Sequence, residues 1–110
     1  MTREEILNMK AGEEIDILIA KEIFYSPELW FRGNVVRDKT QWYCGPSFSR
    51  DIYSAWDVVE KIEEDCDIDI KTTARGWLVT IEKNRVEYSA NDEMCALAIC
   101  KAALLAKVAE

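Results

Sequence analysis

Histidine is absent from the 110-residue sequence. That excludes Ser-His-Asp and Cys-His activation of a nucleophile, and any mechanism in which an imidazole carries the proton. It also removes a principal zinc ligand, so a zinc site would need scattered thiols plus carboxylates. The four cysteines, Cys44, Cys66, Cys95 and Cys100, include no CxxC pair, and Cys95 and Cys100 face different directions on a predicted helix. Reduced thiols in a cytosol are the expectation. Four well-separated glycines cannot build a P-loop or a G-x-G-x-x-G turn. Long apolar runs are missing too: the longest, residues 94–109, is interrupted by Lys101 and Lys107 and is too short to span a bilayer. The opening MTREEILNMK has no apolar stretch of the kind a secretory signal requires. We therefore expect no catalytic residues, no metal, no cofactor and no membrane association; the chain reads as a non-enzymatic cytosolic protein.

What is present is globular. Apolar residues make up 49% and charged residues 32% of the chain, and the length suits one domain over residues 1–110. A net charge of −7 argues against a broad face for duplex nucleic acid.

The elements can be read in order. Thr2 and Glu5 form a T-x-x-E capping box for a short helix through Met9, which Gly12 ends. A second helix carries Ile15, Leu18, Ile19 and Ile23 on one stripe and stops at or before Ser26, ahead of Pro27. Residues 29–50 read as short extended pieces and loop, with Val35-Val36 and Gln41-Trp42-Tyr43 as strands turning near Asp38-Lys39 and punctuated by Gly45-Pro46. Ser49 is the expected N-cap of the next helix, which runs to about Asp65 with Ile52, Ala55, Trp56, Val59 and Ile62 facing the core.

A meander follows. Ile68, Ile70 and Thr72 alternate with Asp67, Asp69 and Lys71, the pattern of a half-buried strand whose acids face solvent, although Asp67 and Asp69 project together as a weak Mg²⁺ or Ca²⁺ pair would. A turn over residues 73–76 leads to Trp77, Val79 and Ile81 on the apolar side of a second strand. Lys83-Asn84 forms the next turn, and Val86 and Tyr88 belong to a third strand. A last helix, from about Asn91, is apolar nearly all round and should lie buried against the sheet. The fold class is α+β, a three- to four-stranded antiparallel meander packed with helices on one face or both.

The segments MTREEILNMKAGEEIDILIAKEIF, PSFSRDIYSAWDVVEKI, GWLVTIE and AICKAALLAKV, taken in order, resemble the phage ABA sandwich domain family. The resemblance implies a layered α/β/α fold in a small phage or prophage protein and carries no family-wide activity. The family's S-x-D-I-x-x-A-W helix start is matched by Ser49, Asp51, Ile52, Ala55 and Trp56, all of which read as cap or core.

One segment stands apart. Residues 29–50 hold five of the eleven aromatics, namely Trp30, Phe31, Trp42, Tyr43 and Phe48. Arg32, Arg37, Lys39 and Arg50 stand there against the single acid Asp38, a local charge of +3 that leaves −10 for the rest. Aromatic faces stack on planar bases, and arginine forks onto phosphate. Three readings stand side by side: a cap on the core, a docking surface on a host or phage protein, or a pocket for a small nucleotide-like anion. For the pocket the candidate residues are Trp30, Arg32, Arg37, Trp42, Tyr43 and Arg50. Aromatic enrichment also makes a homo-oligomer one of the expected partners.

Overall fold

The structure, a computed structural model, describes residues 1–25 and 47–108. Among these residues are four helices and three strands: α1 (Arg3–Leu7), α2 (Glu13–Glu22), α3 (Ile52–Ile62), β1 (Asp67–Thr73), β2 (Gly76–Lys83), β3 (Val86–Asp92) and α4 (Cys95–Val108). The strands form an antiparallel sheet in the order β1-β2-β3, so the expected α+β fold with a meander is what the chain adopts. The strand and hairpin expected within residues 35–43, and the turn at Gly45-Pro46, lie outside the described residues.

Each helix start has a local cause. In α1 the Thr2 side chain accepts from the Glu5 N–H at 3.2 Å while the Glu5 carboxylate accepts from the Thr2 N–H at 3.2 Å, the capping box that the sequence announces. These same bonds to Thr2 hold the Glu5 carboxyl below its ordinary range. In α3 the cap is Asp51 rather than the expected Ser49: its carboxylate accepts from the Tyr53 N–H at 3.1 Å and the Ser54 hydroxyl at 3.1 Å. Helix α3 is also shorter than expected, closing at Ile62.

The buried arc of α3 is Ala55, Val58, Val59 and Ile62, whereas Ile52 and Trp56, expected in the core, are 44% and 48% exposed. An arc centred on those four residues points away from Tyr53, and Trp56 sits on its flank.

Register in the sheet puts Ile68, Ile81 and Tyr88 in one cross-strand row, and Ile70, Val79 and Ala90 in the next. Val79 and Ile81 are fully buried beneath α4, while Asp67, Asp69, Lys71, Glu82 and Glu87 alternate onto the exposed face. Asp67 and Asp69 thus stand on the solvent side of their strand.

Helix α4 is enclosed: every residue from Ala96 to Ala106 is buried. It packs on β2 and β3, and also against α1, α2 and α3. Its one buried cation, Lys101, reaches the carboxylate of Asp92 at 3.2 Å, and Asp92 also accepts from the Met94 N–H at 3.0 Å. The end of β3 therefore both turns the chain into α4 and balances its buried charge, and the helix starts later than Asn91 for that reason. At the far end Lys107 grips Asp65 at 3.0 and 3.2 Å, tying α4 to the corner between α3 and β1. The ammonium holds the Asp65 carboxyl down; burial alone would lower Lys107, but the carboxylate beside it leaves Lys107 raised.

Both hairpin turns constrain their residues. Gly76 has φ +135°, and a Cβ there would lie 2.2 Å from the Asp92 carbonyl oxygen. The second turn is Asn84-Arg85, one residue later than expected, with φ of 53° and 67°. Two positive φ values mark a type I′ turn, in which Asn is favourable at the first position and a non-glycine residue costly at the second.

The two turns predict opposite outcomes in chemical denaturation. Arg85→Gly should stabilise the protein by about 1 kcal/mol by relieving the positive φ. Gly76→Ala should destabilise it by about 2–4 kcal/mol, because strain and collision act together.

Candidate binding surface

The described structure brackets the aromatic, basic segment at both ends. On the outgoing side, α2 is capped by Ile23, and the chain bends at Phe24 and Tyr25, the latter at φ 57°. On the returning side, Phe48 is completely buried, and its ring stacks on Phe24 with centroids 5.4 Å apart and planes 18° from parallel. The chain thus leaves and re-enters the core at one place. Phe48 belongs to that clamp and not to a ligand surface.

A second set of contacts lies beside the rings. Asp16 and Ser49 are both fully buried. The Ser49 N–H donates to Asp16 Oδ1 at 2.8 Å, and Ser49 Oγ accepts from the Gly12 N–H at 2.9 Å. Ser49 is therefore a bolt between the start of α2 and the returning chain, which is why it does not cap α3. A buried carboxylate is tolerated only where donors meet it, and the Ser49 amide supplies one. Burial pushes the Cys100 thiol well up, and the nearby Asp16 charge adds to this, so Cys100 serves as a small protonated filler of the core. Burial likewise raises Cys66 and Cys95.

Directly after the bolt the chain turns outward. Ser47 accepts from the N–H groups of Arg50 and Asp51 at 3.1 and 2.8 Å, leaving the Arg50 side chain exposed. Then α3 presents Tyr53, 85% exposed, beside Trp56 and Ile52. Of the six residues expected in a pocket, Arg50 is thus described and solvent-facing; Trp30, Arg32, Arg37, Trp42 and Tyr43 lie outside the described residues. The exposed pair Tyr53 and Trp56 was missed by sequence reasoning, because the spacing of Ile52, Ala55, Trp56 and Val59 fits a buried stripe as well as the true one does. The signal was Val58, which shifts the apolar arc away from Tyr53.

Among the described residues, a notch of about 270 Å³ beside the clamp is lined by Ile23, Tyr25, Lys61, Glu64, Asp65 and Lys107. Both of its ammonium groups are engaged, Lys61 with Glu64 at 3.1 Å and Lys107 with Asp65 at 3.0 Å. Among the described residues, no group of three or more acidic or cysteine side chains is arranged to hold a metal ion. No helix among them is long and apolar enough to cross a membrane.

Comparison with known proteins now decides the family. The model of the phage ABA sandwich domain matches residues 17–104, which takes in most of α2, the clamp, α3, the sheet and most of α4. This chain belongs to the phage ABA sandwich domain family. A crystal structure of a phage protein from Bacillus cereus ATCC 14579 is similar over 88% of this chain and 94% of that one, at 31% identity and a TM-score of 0.60. Among curated proteins, none matches. The family match takes in both clamp rings, Phe24 and Phe48, and Ser49, whereas Asp16 and Gly12, to which Ser49 bonds, precede it.

Removing the bolt should be measurable by urea denaturation. Asp16→Ala should cost about 2 kcal/mol, since it strands the buried Ser49 amide, and Ser49→Ala about 1 kcal/mol. Asp16→Ala without effect would mean that the bolt does not hold the returning chain.

Proposed function

We propose that this member of the phage ABA sandwich family is a non-enzymatic binding protein that captures a small anionic, nucleotide-like ligand, such as a host-made nucleotide signal, in the host cytosol. One observation carries the reading. Residues 29–50, with a local charge of +3 and five of the eleven aromatics, overlap the segment whose two ends are joined by the stack of Phe24 on Phe48, the latter itself one of the five. A segment whose two ends are held on a packed scaffold is a common place for binding residues. In this reading Trp30, Trp42 and Tyr43 stack on the base, and Arg32, Arg37 and Arg50 fork onto phosphate. Capture acts by stoichiometry and needs no catalytic group, in keeping with a chain that has no histidine.

A second reading has its own support. Ile52, Tyr53 and Trp56 are exposed together on α3, and aromatic side chains are enriched in protein interfaces. Here the protein docks on a host or phage protein and blocks it, or pairs with a second copy.

Thermal shift against a panel of cyclic and linear nucleotides tests the first reading. A ligand at a hundred times its Kd should raise Tm by roughly 10 °C, and Arg37→Ala with Trp42→Ala should abolish that rise. No shift across the panel, together with unchanged biological activity in the double variant, would contradict capture.

A further inference from the structure

Helix α3 gives the second reading, docking on a protein, a more specific form. Resting on that reading, we infer that the outward face of α3 is a docking surface for a cationic amphipathic segment of a partner protein, one that carries apolar side chains beside lysines or arginines. The face is polarised along its length. Its first turn and a half exposes Ile52, Tyr53 and Trp56, at 44%, 85% and 48%. The rest of the same arc carries Asp57, Glu60 and Glu63, all exposed. The one cation in that half, Lys61, is already paired with Glu64 at 3.1 Å.

Two aromatic rings and an isoleucine grouped on one short helix are unusual on a surface that is otherwise charged, and such grouping marks a contact site. Charge decides what covers it. Nucleic acid would bring phosphates against three carboxylates. A second copy would bring three more carboxylates, with Arg50 as the one exposed counter-charge beside the face among the described residues, so self-pairing is opposed. A cationic segment meets neither obstacle. Tyr53 and Glu60 lie seven residues apart on the helix, about 10 Å, so the partner's cations should sit roughly two helical turns from its apolar anchors.

The test uses two synthetic amphipathic helical peptides, one of leucine and lysine and one of leucine and glutamate, titrated into the full chain labelled with ¹⁵N. The leucine–lysine peptide should bind with amide shifts concentrated in residues 50–64, and its affinity should fall as salt rises. Tyr53→Ser, Trp56→Ser and Glu60→Lys should each weaken it at least tenfold, with Tm held near wild type because these side chains are exposed. The leucine–glutamate peptide should not bind. Three results would overturn the inference: shifts centred on the sheet acids Asp67, Asp69 and Glu82; binding indifferent to Tyr53→Ser and Trp56→Ser; or self-association that Trp56→Ser abolishes. No peptide binding at all would also overturn it. In that case a host-protein complex lost on Trp56→Ser would leave the docking reading standing without its cationic partner, and a complex indifferent to Trp56→Ser would remove α3 docking altogether.

Discussion

The fold depends on one helix that must be kept from water on every side. Residues Ala96 to Ala106 of α4 are buried without interruption, so no single neighbouring layer can cover them. The sheet takes one part of the surface, through Val79, Ile81 and Ala90, and α1, α2 and α3 take the rest. Five alanines in that run let the neighbours approach closely, while Leu97, Ile99, Leu104 and Leu105 supply the apolar area, each worth about 1.5–3 kcal/mol when fully buried. The polar features of the core are adjustments to the same constraint. The Lys101 side chain reaches from the buried helix to Asp92, and the protonated thiol of Cys100 sits near the Asp16 charge.

Because α4 holds the layers together, other parts of the chain are free to serve as surface. The Phe24–Phe48 stack and the Asp16–Ser49–Gly12 hydrogen bonds fix both ends of the segment between α2 and α3 on the core. Immediately beyond them α3 buries only Ala55, Val58, Val59 and Ile62, which leaves its aromatic side outward. Two binding candidates, the clamped segment and the α3 face, therefore meet at Arg50 and Asp51. This arrangement sets these surfaces apart from the core, so that surface residues can change while the core stays as it is.

The sequence made some of this plain and hid the rest for physical reasons. The capping box at Thr2 and Glu5, the alternation in β1 and β2, and the all-round apolar character of α4 were legible because each is a local pattern with one solution. The cap at Asp51 was not, since Ser49 is an equally good capping residue until its amide and hydroxyl are seen to be engaged by Asp16 and Gly12. The turn at Asn84-Arg85 was misplaced by one residue because arginine carries no sign of a positive φ. Asp16 is not legible in the sequence, because nothing local distinguishes a buried, bonded carboxylate from an exposed one on an acidic helix. Trp56 reads as core because its spacing suits a stripe that the helix does not bury. As for the candidate site, the sequence located the unusual segment by composition alone, and the structure added the clamp at its base.

The central claim is that the α4-centred core is a scaffold and that the segment between Phe24 and Phe48 carries the recognition. The most direct measurement is to replace Trp30, Arg37 and Trp42 together with alanine, then record thermal unfolding and ligand or partner binding on the same sample. A scaffold with a separate recognition segment predicts a melting temperature within a few degrees of wild type and binding lost. Cooperative unfolding destroyed by the triple substitution would show that these side chains belong to the core and would contradict that division.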